Sequence, residues 1–115
     1  MSIEVRFQDS IICKNLKIAD DFASRLIGLM FKKEMVGFDG LLIKQCNSIH
    51  TFFMRYALDL VFLNKEMKVV KVIENVKPWR MTLMYLKASQ VLELEGGTLE
   101  SRIKKDDQLE IICIN

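Results

Sequence analysis

The run Leu58-Asp59-Leu60-Val61-Phe62-Leu63 constrains the fold more than any other stretch. It is apolar apart from one carboxylate, has strand length and is rich in residues that suit a buried sheet, so it predicts a central strand. Shorter strand signals surround it. Ile3, Val5 and Phe7 alternate with Glu4, Arg6 and Gln8, the period of a half-buried strand. Asp9-Ser10 supplies a turn and residues 11–18 a second strand, predicting an N-terminal hairpin. Residues 41–44, 69–73, 91–94 and 109–114 read as further strands, and 48–54 looks extended from its β-branched and aromatic residues. Pro78 breaks the pattern and makes 75–86 an irregular, unusually apolar connection.

One helix is predicted, capped by Asp20 or Asp21 and running to about Met30, with Phe22, Leu26, Leu29 and Met30 on one face. Arg25 falls on its polar side, and Gly28 costs its interior about 1 kcal/mol relative to alanine. About eight short strands and one packed helix predict a mainly β domain, an antiparallel sandwich or barrel. The missing βα alternation argues against a doubly wound sheet.

A chain of 115 residues makes one domain, residues 1–115, large enough to bury a core without metal or disulfide staples. Its formal charge is +2 and its lysines are scattered, with only Lys32-Lys33 and Lys104-Lys105 adjacent. A nucleic-acid face would concentrate them, so no nucleic-acid partner is expected. Cys13, Cys46 and Cys113 form no CxxC pair, which suits a reducing compartment. Cys13 and Cys113 lie within strand patterns and read as small core residues. MSIEVRFQDS lacks a basic-then-apolar signal pattern, and no apolar run approaches the ~20 residues of a membrane helix. These features predict a soluble, cytoplasmic protein with no membrane partner.

Chemistry concentrates between Cys46 and Asn64, which holds the single histidine, His50. If 46–54 is extended, Cys46, Ser48, His50, Phe52 and Met54 share a face. Such a row suggests a soft metal. However, four strand residues span ~13 Å, whereas zinc ligands lie about 2.0–2.3 Å from the ion. No metal and no cofactor is therefore expected. A second reading makes Cys46 a nucleophile activated by His50 and oriented by Asp59 or Asn47, a hydrolase or transferase, although no nucleophile-elbow or oxyanion motif accompanies the pair.

Asp59 stands in an apolar run, where a bare carboxylate is costly. It requires a partner, either Arg55, His50 or Arg80, or backbone groups at a turn. Glu93 alternates with Leu92 and Leu94, so it faces solvent or joins Arg80 or His50 in a pocket. Trp79-Arg80 has the composition of a recognition hot spot. With Met81, Met84 and Tyr85 it borders a groove or covers one end of the sandwich. The leading reading is a small binding module. His50, Thr51, Arg55, Asp59 and Arg80, with Glu93, form a polar site beside Trp79 for a small ligand or a protein partner.

Several phrases recur in order: Ser24-Arg25-x-x-Gly28-Leu29-Met30, Cys46-x-Ser48-Ile49-His50-Thr51-Phe52-x-Met54-Arg55, Leu58-Asp59-x-x-Phe62-Leu63, Pro78-Trp79-Arg80 and Val91-Leu92-Glu93-Leu94-x-x-Gly97. In these the chain resembles the bacterial and archaeal domain-of-unknown-function family 192, from about Cys13 to Ile114. The resemblance implies a compact sandwich-like domain with one helix alongside, and no established activity. Many members carry a signal sequence, which is not carried over to this chain. Ala57 stands where a proline often precedes the Leu-Asp pair, and Asp106 where a glycine often precedes the final Asp. Both departures bear on turn geometry.

Overall fold

The computed structural model describes residues 2–20 and 35–114. Its strands are β1 (Ser2–Phe7), β2 (Ser10–Cys13), β3 (Leu16–Ala19), β4 (Gly40–Lys44), β5 (Leu58–Leu63), β6 (Val69–Val76), β7 (Gln90–Glu95) and β8 (Glu110–Ile114). They form two sheets rather than a closed barrel, with orders β2-β1-β8 and β3-β4-β7-β5-β6. Every strand pairing is antiparallel except β3 with β4. The predicted helix, with Arg25, lies outside the described residues beyond its Asp20 end.

Side-chain alternation decides the layers. Leu92 and Leu94 of β7, with Leu42, Val61 and Leu63, meet Val5 and Ile12 of the smaller sheet in one core. Val91, with Leu41, Ile43, Leu58, Leu60 and Phe62, belongs to a second core on the opposite face of the large sheet. That sheet is covered on both sides, so β5 is buried along its whole length.

The N-terminal hairpin forms, but its expected second strand over 11–18 divides into β2 and β3, which belong to different sheets. Asp39 causes the break. Its carboxylate accepts the Lys14 N–H at 2.9 Å, the Asn15 N–H at 2.7 Å and the Cys13 thiol at 3.0 Å. These bonds bend the chain between the strands. Burial by itself would raise the Asp39 carboxyl, but the hydrogen bonds, that of Lys14 foremost, outweigh it and hold the group below its ordinary value. Cys13 is buried as expected. Cys113 is exposed on the edge strand β8 and is not a core residue, because alternation turns it outward.

Candidate functional site

Two irregular segments, 46–56 and 77–89, lie over the outer face of the large sheet and give Ile49, Met54, Tyr56, Tyr85 and Ala88 to its core. Backbone bonds pair them: Cys46 N–H to Ser89 O at 3.1 Å, Tyr85 N–H to Asn47 O at 3.0 Å, Thr82 N–H to Ile49 O at 2.8 Å and Thr51 N–H to Arg80 O at 2.8 Å. His50 and Met81 form an isolated bridge. The extended row expected over 48–54 fails after Thr51. There the Met54 N–H turns back to Thr51 O at 3.2 Å and Phe53 takes a φ of 65°. His50 is exposed while Met54 is buried, so the two do not share a face.

Thr51 pins the loops together. It is fully buried, its Oγ1 donates to Lys77 O at 2.7 Å and accepts the Arg80 N–H at 2.8 Å, and its carbonyl accepts the Trp79 N–H at 2.9 Å. These bonds hold Trp79 at a φ of 64°, a left-handed conformation rare for a bulky side chain. An aromatic row results. His50 and Phe52 have ring centroids 5.0 Å apart, Phe52 and Trp79 5.8 Å, and Phe53 and Trp79 4.8 Å. Trp79 is 56% exposed, Met81 70%, Leu83 75%, Met84 63% and Leu86 81%. The 79–86 stretch is thus no packed cover, although Tyr85 reaches inward to Phe62. Arg55 and Arg80 are exposed and form no ion pair among the described residues.

Asp59 is fully buried, and its partners are backbone donors. It accepts the N–H groups of Asn75 at 2.9 Å, Gly97 at 3.3 Å and Leu99 at 2.9 Å. None of Arg55, His50 and Arg80 reaches it. The carboxylate clamps the turn after β7 to the end of β6.

Glu93 points the other way, into the outer core. It lies between Leu41 and Leu60 on the neighbouring strands and is only 5% exposed. It has no hydrogen bond or ion pair among the described residues, and neither Arg80 nor His50 meets it. Burial pushes its carboxyl up to about 8. The hydroxyl of Tyr56 is buried without a partner among the described residues, and its ionisation is pushed up by burial and then by the charges of Glu93 and Glu95. Tyr56 escaped the sequence reading because nothing local marks it as buried.

Cys46 and His50 make separate contacts. The Cys46 thiol donates to Ser48 O at 3.0 Å, and His50 Nδ1 accepts the Phe52 N–H at 3.3 Å. No hydrogen bond joins the two. Among the described residues no three His, Cys, Asp or Glu side chains converge as metal ligands.

The sandwich and its ordered residues have counterparts. The family DUF192, described as "Uncharacterized ACR", matches residues 4–111. The chain belongs to the DUF192 family. A UPF0127 protein of Pyrococcus horikoshii is 37% identical over 89 residues, covering 75% of this chain and 76% of its own. A second, from Pyrococcus furiosus, is 33% identical over 99 residues, covering 83% and 84%. A crystal structure of a protein of unknown function from Novosphingobium aromaticivorans has a TM-score of 0.76 at 22% identity, covering 94% of this chain and 82% of its own. A Sinorhizobium meliloti structure has a TM-score of 0.75 at 20% identity, covering 94% and 90%. These two share the fold of this DUF192 domain. No helix among the described residues is long and apolar enough to cross a membrane.

Proposed function

We propose that this DUF192 domain is a binding module that recognises a protein partner through the loops 50–55 and 79–86. One observation carries the reading: Trp79, Met81, Leu83, Met84 and Leu86 stand exposed on a loop whose backbone is hydrogen-bonded in place. Apolar patches of this kind on a folded domain mark interaction surfaces. Phe53 and Trp79 both hold positive φ, conformations that cost on the order of 1–3 kcal/mol each and concentrate at functional sites. Arg55, Lys77, Arg80 and Lys87 are exposed in the same loops. Arginine forks suit carboxylates and an exposed indole suits an apolar anchor. The partner segment therefore carries acidic residues beside large apolar ones.

In this reading His50, Arg55, Trp79 and Arg80 touch the partner, while Thr51 shapes the surface from beneath and Asp59, on the other face of the sheet, holds the framework. The hydrolase or transferase reading draws no support from the separate contacts of Cys46 and His50. A displayed peptide library tests the proposal: bound sequences should combine Asp or Glu with Leu, Phe or Trp. Trp79→Ser with Leu83→Ser, and Arg80→Ala alone, should each weaken an enriched peptide by roughly tenfold or more, about 1.4 kcal/mol. Their melting temperatures should barely move, as expected for exposed positions. No enrichment, or enrichment indifferent to all three substitutions, refutes it.

A further inference from the structure

The loop surface adjoins an open strand edge. β6 is the end strand of the large sheet. Its start is closed by residues 106–107, where the Val69 N–H donates to Asp107 O and the Asp106 N–H to Val69 O, both at 2.8 Å. Near its end the Asn75 N–H goes to Asp59 at 2.9 Å. Between those points, among the described residues, its backbone bonds only to β5. Such an edge presents N–H and C=O groups that another extended segment can pair, unless a lysine or a bulge blunts it. β6 has both, Lys71 and a register shift at either end of its pairing with β5, but the register is regular over 71–73. The edge therefore accepts a short added strand, roughly three or four residues long.

A groove flanks this edge on each face of the sheet. One, of about 510 Å³, runs between residues 73–77 and the 80–85 loop. Its Ile73, Val76 and Tyr85 belong to the outer core, and its Met81 and Leu83 are exposed apolar residues of the loop surface. The other, of about 700 Å³, joins Val72 and Ile103 of the inner core to Lys104 and Lys105. Both include Glu74, whose carboxylate accepts the Ser101 N–H at 3.1 Å. A strand laid beside β6 sends alternate side chains to opposite faces, and so into one groove and then the other.

We propose that the partner segment binds as an added strand on β6, with apolar side chains in the groove of Met81 and Leu83 and acidic ones reaching Lys104 and Lys105. This rests on the reading of 79–86 as a protein-binding surface and gives that partner a mode of binding. Main-chain hydrogen bonds supply affinity, and the two grooves read alternate side chains. The recognised sequence alternates acidic and apolar residues.

The test is amide NMR on the full chain with synthetic peptides. A capped peptide alternating Glu and Leu should shift the amides within 70–74 saturably and slow their exchange. The same residues in two blocks, Glu then Leu, should bind several-fold more weakly. Two N-methylated forms of the alternating peptide separate an added strand from side-chain contact alone. Methyl groups on every second nitrogen face one edge of an extended peptide. One form should therefore lose roughly tenfold or more while the other stays within about twofold, and the form that loses gives the strand direction. Lys104→Gln with Lys105→Gln should weaken the alternating peptide several-fold. Amides of 110–114, on the end strand β8 of the smaller sheet, should not respond. Shifts confined to 50–55 and 79–86, with both methylated forms binding equally, overturn strand addition and leave the loop surface standing. Equal responses at β6 and β8 overturn it as well, because they mark unselective edge pairing. An added strand indifferent to Trp79→Ser with Leu83→Ser refutes the loop reading and the groove beside it. Failure of the alternating peptide to bind overturns the proposal, while the displayed library still decides the loop surface.

Discussion

Replacing Glu93 by glutamine removes an ionisable proton with little change of shape, and the effect should depend on pH in a defined direction. The carboxyl moves from 4.5 to about 8 because burial strips its water and no partner among the described residues replaces it. The unfolded chain releases this proton near 4.5, whereas the folded chain keeps it until about 8. Between those values the folded state binds more protons, so rising pH lowers stability. Below the window the side chain is neutral in both states and its contribution is fully present. The loss amounts to roughly 3 kcal/mol by pH 7 and roughly 5 kcal/mol above pH 8, at 1.36 kcal/mol per decade. Domains of this size have about 5–15 kcal/mol in all, so the effect is large. Tyr56 and Glu95, the other ionisable groups among the described residues that act electrostatically at this site, are unchanged in the variant.

Urea denaturation of the natural chain and Glu93→Gln at pH 4, 7 and 9 reads the difference directly. The two should nearly coincide at pH 4, and the variant should be more stable by roughly 3 kcal/mol at pH 7, with a wider gap at pH 9. Glu95→Gln, at an exposed position, should show no comparable trend. A gap independent of pH, or one that narrows as pH rises, refutes the argument that Glu93 is held neutral by burial.

Two further substitutions test the framework. Asp59→Asn keeps an acceptor for Asn75 and Gly97 but sets an NH₂ group against the Leu99 N–H, so it should cost about 2–4 kcal/mol and speed amide exchange at Leu99; exchange unchanged at Leu99 would count against the clamp. A Cβ at Gly40 would lie 2.6 Å from Cys13 Sγ and 3.1 Å from Leu94 Cδ2, so Gly40→Ala should lower stability by about 1–3 kcal/mol, and Cys13→Ala should restore part of it in thermal melts.

The departures from the family pattern are also readable in backbone terms. Asp106 adopts a φ of 74°, the left-handed conformation that glycine accepts without strain, which suits the glycine that the family resemblance implies there.

The sequence by itself determined most of the strands. Period-two alternation at Ile3, Val5 and Phe7, the apolar run at Leu58–Leu63 and the break at Pro78 are local signals, and strand formation responds to them locally. It also required that Asp59 have partners, because desolvating a carboxylate is costly wherever the chain runs. Which partners it has was decided only by tertiary structure. Asn75, Gly97 and Leu99 reach it through the pairing of β5 with β6 and β7, and no cation among the described residues forms an ion pair with it. The division of β2 from β3 depends likewise on Asp39, brought from beyond the crossover. Glu93 shows the same limit from the other side. Alternation places it opposite Leu92 and Leu94, but whether that face meets water or protein depends on the loops laid across it. A pocket lined by Lys44, Lys65 and Gln90 arises in the same way, because the register of β4 and β5 on β7 brings parts distant in the chain around one space. Local propensity acts through neighbours in the chain, whereas burial, charge pairing and cavities depend on residues that only folding brings together.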